Sequence, residues 1–405
     1  MSSIVVAART RVVDPLREFV RAEVAGGVVL LGAALIALAW ANSPLSASYE
    51  RLWATGLSLG AGPFGITADL QHWVNEGLMA VFFFVVGLEI KRELVTGALR
   101  DRRAAVLPAA AAAGGVLLPA LLFAAVAGGG PASAGWGIPM ATDVAFAIGV
   151  LALLGDRVPA GARLFLLSIA IVDDLIAIAV ITVFYSAPVT WGWLAVAAAG
   201  LVAVLGLRRL GAAHIWPYAL AGLLVWYAAY KSGIHATIAG VALALLTPAR
   251  RFRGRDVLTA LEHWLHPVSA WVVVPLFALA NAGVDLRGGL LTTAATSRLA
   301  WAVGTGLIAG KTIGIAAVTL AAVRARIGVL PAGVKTGHVW GLSAVAGIGF
   351  TVSLFIADLA YQGAELVNQA KVGIFVGSLA SGAAGIIVLL SSRRAPSRPG
   401  EAEPQ

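Results

Sequence analysis

Cysteine is absent and charge is scarce. With no Cys among 405 residues, disulfides, thiolate nucleophiles and thiolate metal sites are all excluded. Charged residues make up only 12% of the chain, against roughly a quarter in an ordinary soluble domain. That deficit excludes a typical soluble enzyme. A formal net charge of +9 would suit a nucleic-acid binder, but the basic residues fall in short clusters between apolar runs, so no nucleic-acid partner is expected. The first twenty residues also lack the apolar core and cleavage site of a signal peptide. The apolar segments are therefore expected to insert as they stand.

What the chain has instead is hydrophobicity: 60% of its residues are apolar and the mean hydropathy is +0.90. At about 20 residues per crossing, the runs divide into twelve expected spans. They lie near 24–41, 73–90, 104–127, 136–154, 164–186, 191–207, 216–230, 234–248, 267–284, 299–322, 336–361 and 371–391. This predicts an all-α polytopic membrane protein embedded in a lipid bilayer. Of the 29 Lys and Arg residues, 23 fall in one alternate set of loops and five in the other, namely Arg51, Lys231, Arg287, Arg298 and Lys371. The positive-inside rule then puts both termini in the cytoplasm. The expected organisation is a cytoplasmic N-terminal segment at 1–23, a twelve-helix membrane domain at 24–391, and a disordered cytoplasmic tail at 392–405. A long external loop holds a hairpin, or an irregular stretch, at about 45–67. The remaining cation, Lys311, lies inside a span.

The stretch at 164–185, LFLLSIAIVDDLIAIAVITVFY, is apolar for 22 residues apart from Ser168, Thr182, Tyr185 and two adjacent acids, Asp173 and Asp174. An ionised carboxylate at that depth costs about 2.5–3.5 kcal/mol on insertion scales, so a doublet points to function. Oxygen ligands of this kind suit a hard cation such as Na⁺ or Li⁺. Desolvation and mutual repulsion favour the protonated form of a carboxylate and a nearby ammonium opposes it, so the same oxygens suit protons too. A site that takes Na⁺ or H⁺, but not both at once, exchanges one for the other without further machinery. Adjacent helical residues point about 100° apart. One acid is therefore expected to face the ion while the other meets Lys311.

Asp143, in GIPMATDVAFAIG, completes the charged set at membrane depth. Pro139 should break the helix nearby, and Gly341, Gly347, Gly349 and Thr351 mark a comparable interruption in 336–361. Broken spans in both halves of a chain point to a midplane site in an inverted-repeat transporter. Exposed helix ends need counter-charges; Asp143 suits N-termini and Lys311 suits C-termini. Lys311 sits in Gly306-x3-Gly310-x3-Gly314, a ridge that lets helix backbones approach closely. Plainer roles stand beside these: a structural salt bridge for Lys311, and helix-end compensation alone for Asp143.

Several strings carry a resemblance. They are FFFVVGLEIKREL at 82–94, IPMATDVAFAIG at 138–149, SIAIVDDLIAI at 168–178, KSGIHATIAG at 231–240, LEHWLHP at 261–267, VPLFALANAGV at 274–284, AGKTIGI at 309–315 and GIGFTVSLFIADLA at 347–360. Over nearly all of 15–391 the chain resembles the NhaA-type bacterial sodium/proton antiporters, themselves a type case of the inverted-repeat architecture. The resemblance implies twelve helices in inverted-topology repeats, with the fourth and eleventh discontinuous and crossing. It implies electrogenic export of Na⁺ and Li⁺ in exchange for protons by alternating access, in the inner membrane, with no cofactor. Asp174 would be the main Na⁺ ligand and proton carrier with Asp173 beside it, Asp173 would pair with Lys311, and Asp143 and Thr142 would line the crossing. A pH response maps onto Glu89, Glu93, Glu262 and His235. The resemblance also implies a homodimer joined partly through the external hairpin.

Two positions depart from the pattern. Glu76 stands where the family often has Asp, and Asp358 replaces a small neutral residue; Asp358 is expected to reach the external interface. His235 also has a plainer reading as a packing residue. His263 and His266 share a helix face but lack a third metal ligand. Two other functions compete. A sodium-coupled symporter of similar architecture would need an organic-solute pocket that the sequence does not display. An intramembrane aspartyl protease needs acids on separate helices sharing a water. Adjacent Asp173 and Asp174 do not provide that, and although Asp143 with either one could, Lys311 would hold both acids ionised, which is wrong for that dyad.

Overall fold

The computed structural model describes residues 25–392, apart from 61, 63, 64, 213, 250, 251, 253, 255 and 288. The N-terminal segment expected at 1–23 and the tail beyond 392 lie outside the described residues. The chain begins with α1, Ala25–Ala41, and a short surface helix, α2, Ser46–Trp53. A hairpin follows, in which β1, Gly56–Leu59, runs antiparallel to β2, Ile66–Asp69. The loop expected at 45–67 therefore does contain two strands, and Gly56 stands opposite Asp69.

Helix α3 occupies 70–95 and carries a π turn at Val74–Leu78. Next come α4, Arg102–Ala127, a 3₁₀ helix at Pro131–Met140, and α5, Val144–Leu153. They are followed by α6, Ala160–Phe184, α7, Trp191–Arg209, α8, Trp216–Ser232, and α9, Thr237–Leu246. The second half holds α10, Val257–Asn281, the short α11, Leu290–Thr296, and α12, Arg298–Arg324. It closes with α13, Thr336–Val345, α14, Phe350–Ala360, and α15, Ala364–Ser391. Among the described residues six helices are long and apolar enough to cross a bilayer, or up to nine if each bent pair is one span. The protein is thus an all-α polytopic membrane protein.

Three spans differ from the sequence expectation for local reasons. Helix α10 starts at Val257 rather than near 267, because Asp256 caps it by accepting from the Thr259 N–H at 3.2 Å. Its polar first turns are tolerated because Glu262 is turned inward and buried. Helix α9 starts at Thr237, since Gly233 ends α8 with φ +86° and places His235 in the intervening turn. Lys371 is no loop residue; it lies within α15 and is buried.

The two broken spans touch each other. The 3₁₀ helix and α5 bend by 44° around 141–143, and α13 and α14 bend by 47° around 346–349. At the crossing the Asp143 N–H donates to the Ile348 carbonyl at 2.6 Å. Small residues bring α12 against α4: a side chain at Gly314 would run into the Gly114 carbonyl. A π turn at Gly306–Gly310 immediately precedes Lys311 and resets its face of the helix.

Candidate ion-binding site

The expected charges converge. Lys311, Asp173, Asp143 and Thr142 are all buried at 3% exposure or less, and Asp174 at 8%. The Lys311 ammonium, projecting from α12, donates to Oδ2 of Asp173 on α6. The same oxygen accepts from the Thr142 hydroxyl at 2.8 Å, and the Ala346 carbonyl competes for that hydroxyl proton at 2.8 Å. Asp173 thus meets the first broken span through Thr142, and the second span competes with it for the Thr142 hydroxyl. Its second oxygen, Oδ1, is buried without a hydrogen-bond partner among the described residues. An orphaned carboxylate oxygen is costly to keep, and a cation is the natural group to satisfy it.

Asp174, one position on, faces a different space. A cavity of about 80 Å³ is lined by Asp174, Asp143, Thr142 and Thr351 and reaches Glu89 and His266. Asp173 is not in its wall. The doublet is therefore split as helical geometry requires, one acid toward the ammonium and one toward the cavity.

Asp143 compensates two helix ends at once. Its Oδ1 accepts from the Phe146 N–H at 3.1 Å and so caps α5. Its Oδ2 accepts from the N–H and hydroxyl of Thr351, at 3.0 and 2.7 Å, in the first turn of α14. Both are N-termini, where a carboxylate offsets the exposed N–H groups and the dipole. Lys311 is held by Asp173, and no bond from it to a helix C-terminus is seen among the described residues.

Three of the four residues singled out for the pH response lie at the Glu89 end. Arg92 pairs with Glu262, and with Glu93 at 3.6 Å, while His266 stands 3.8 Å from Glu89. His235 is elsewhere. Its Nδ1 lies 3.0 Å from Oε1 of the buried Glu76, and its Nε2 lies 2.8 Å from the Tyr185 carbonyl. The other Glu76 oxygen accepts from the Ala236 N–H at 2.8 Å. His263 and His266 build no metal cluster; no group of three potential ligands occurs among the described residues.

Sequence reasoning missed two partners. Thr351 marks the second break, but its hydroxyl also ties α14 to Asp143. Asp358 does not simply reach the surface; it pairs with Lys371 at 3.3 Å on α15. Lys371, a cation inside an apolar run, was the signal for that pair.

The Na⁺/H⁺ antiporter 1 family model matches residues 17–389. The chain is 47% identical to Na⁺/H⁺ antiporter NhaA 3 of Frankia alni, over 94% of this chain and 89% of that one. It is 46% identical to Na⁺/H⁺ antiporter NhaA 2 of Erythrobacter litoralis, covering 94% and 95% of the two chains. It is 44% identical to Na⁺/H⁺ antiporter NhaA of Pseudomonas putida, covering 94% and 98%.

Proposed function

The chain belongs to the Na⁺/H⁺ antiporter 1 family, and from that premise we propose that it exports Na⁺ and Li⁺ in exchange for protons at the Asp173–Asp174 doublet. It is a transporter rather than an enzyme. The observation that carries the reading is the division of labour within the doublet. Asp174 lines the cavity, while Asp173 is neutralised by Lys311 yet keeps one buried oxygen without a partner among the described residues. A desolvated cation entering the cavity finds Asp174 first. It gains the spare Asp173 oxygen only by loosening the hold of Lys311 on that carboxylate. A proton taken up by Asp174 releases the cation and lets the still-ionised Asp173 return to the Lys311 ammonium, so occupancy by metal ion and by proton is mutually exclusive.

Alternation follows from the crossing. Asp143 and Thr142 join the two broken spans through Thr351 and Ala346, and the Thr142 hydroxyl is shared with Asp173 of the doublet. A change of charge at the doublet therefore acts on hydrogen bonds that hold four half-helices together. With a twelve-span topology and both termini cytoplasmic in the bacterial inner membrane, the cavity on the Glu89 side would correspond to an inward-facing arrangement. The ion-pair cluster of Glu89, Arg92, Glu93, Glu262 and His266 at its rim, and His235 at the opposite end, would set the pH response. No cofactor is required, and the hairpin strands would join a homodimer.

The test is Asp174→Asn in everted membrane vesicles. Dissipation of a preformed proton gradient on adding Na⁺ or Li⁺ is expected with the native chain and lost with the variant. Near-normal exchange in the variant would refute the doublet as the transport site. Uptake of an organic solute driven by Na⁺ would favour the symporter instead.

A further inference from the structure

At the end of the bundle opposite the cavity, a second cation–carboxylate pair, its lysine buried and its carboxylate half-buried, sits over the site. Asp358 on α14 lies 3.3 Å from the Lys371 ammonium on α15. Its other oxygen accepts from the Asn75 side chain at 3.4 Å. Asn75, in the π turn of α3, accepts from Asn281 of α10 at 2.7 Å, and Asn281 accepts from Gln71 at 2.9 Å. A continuous chain of polar groups thus runs from Gln71, beside the hairpin, to Asp358.

The order of residues along three helices relates this chain to the cavity. On α14, Thr351 lines the cavity, Phe355 follows, then Asp358. On α10, Val274 lines the cavity, Phe277 follows, then Asn281. On α3, read the other way, Val86 lines the cavity, Phe83 follows, then Asn75. The three phenylalanines meet as one layer, with the Phe355 ring 5.6 Å from Phe83 and 6.2 Å from Phe277 between centroids. Thr351 and Asp358 are seven residues apart, two turns of helix, so they share a face about 10 Å apart along its axis. The barrier on this side is therefore layered: a polar shelf, a phenylalanine plug, then the Asp143–Thr351 crossing.

We propose that Asp358 is a cation station on the outer route, where Na⁺ or Li⁺ pauses between the doublet and the external water, with Lys371 as the counter-ion it displaces. This rests on the antiporter reading given above. The Asn75 and Asn281 amides, whose oxygens accept within the chain of amides here, can rotate to turn carbonyl oxygens toward a partly dehydrated hard cation at Asp358. The Asp358 bonds, at 3.3 and 3.4 Å, are long for a carboxylate with charged and amide donors. Together with the 3.3 Å contact from the same Asn75 nitrogen to Asn281, they are the weaker part of the shelf to exchange for an ion. Lys371 does at Asp358 what Lys311 does at Asp173: it holds the carboxylate charge while no metal ion is present.

The proposal is tested in proteoliposomes of known sidedness, with the apparent KM for Na⁺ measured from each face. Asp358→Asn should raise the KM at the face opposite the cavity by roughly fivefold, about the contribution of one unit charge at contact in a hydrated site. The KM at the cavity face should stay within about a factor of two, the charge being lost two turns away across the phenylalanine layer. Lys371→Gln should act in the opposite direction and lower the outer KM, because it frees the carboxylate. A pair that merely braces α14 against α15 would make both variants alike, with the same change at both faces, and that result overturns the station. Asp358→Glu retains the charge and should restore the outer KM; failure to do so also counts against it. Native protein that moves no protons on adding Na⁺ or Li⁺ overturns the antiporter reading and the station together. Native exchange with no sided shift overturns the station alone.

Discussion

Lys311 and Asp173 are 138 positions apart in the chain, and their side chains meet where neither has any exposure. The contact joins α12 to α6 beneath the crossing of the broken spans. Removing one partner of a buried pair leaves a bare charge, which costs about 3–5 kcal/mol, whereas replacing both by apolar groups is often neutral. Lys311→Ala should therefore lower the unfolding temperature in detergent, followed through the fluorescence of the 12 tryptophans. Lys311→Met combined with Asp173→Leu should recover most of that loss while leaving exchange abolished. An unchanged unfolding temperature in Lys311→Ala would remove the pair from the stability of the fold.

Asp143 supports a second prediction. Three donors converge on it, the N–H groups of Phe146 and Thr351 and the Thr351 hydroxyl. A hydrogen bond to a charged group contributes about 1.5–3 kcal/mol, and a lost N-cap costs about 0.5–2 kcal/mol. Asp143→Ala strands both helix ends and should destabilise the protein more than Asp143→Asn, whose carbonyl oxygen still caps one of them. Equal melting of the two variants would show that the charge on Asp143, rather than its geometry as a cap, is what matters.

The site was more legible in the sequence than the helix boundaries were. Asp173, Asp174 and Lys311 stood out because ionisable residues are rare inside apolar runs, and Pro139 with Gly347 and Gly349 announced the breaks through backbone chemistry alone. The division of Asp173 from Asp174 followed from helical angle. What the residues did not disclose were partners set by tertiary packing. Thr351 and Ala346 meet Asp143 and Thr142 across the crossing, and nothing local marks them as ligands. Helix α10 began ten residues early because Arg92, on another helix, makes a buried Glu262 tolerable. Lys371 reads as a loop cation in the sequence because its counter-ion, Asp358, lies on a different helix.

Helix packing supports a third prediction. A Cβ at Gly314 would run into the Gly114 carbonyl, a backbone atom that cannot rotate away. Gly206, on α7, has nothing within 4 Å of the same position. Overpacking costs about 1–3 kcal/mol, while Gly to Ala in a helix interior gains roughly 0.5–1 kcal/mol when there is room. Gly314→Ala should therefore lower the unfolding temperature and Gly206→Ala should hold or raise it. A neutral Gly314→Ala would mean that α12 and α4 separate easily. Lys311, carried on α12, would then be less firmly positioned than its contacts imply.

His235 supports the last prediction, and its sign comes from counting protons. Both ring nitrogens face acceptors, Nδ1 the Glu76 carboxylate and Nε2 the Tyr185 carbonyl at the end of α6. Only the doubly protonated ring donates to both. As pH rises and the ring loses a proton, one contact loses its donor, and the link between α6, which carries the doublet, and the Glu76 turn of α3 weakens. His235→Ala lacks that link at every pH. Its exchange activity, measured across pH in proteoliposomes, should begin at lower pH than that of the native chain, and transport should persist because His235 lies outside the ion site. His235→Gln, whose single donor nitrogen cannot span the two acceptors that Nδ1 and Nε2 reach, should fall between the two. A native-like pH curve in both variants would leave His235 as a packing residue and assign the pH response to the cluster around Glu89, Arg92 and Glu262.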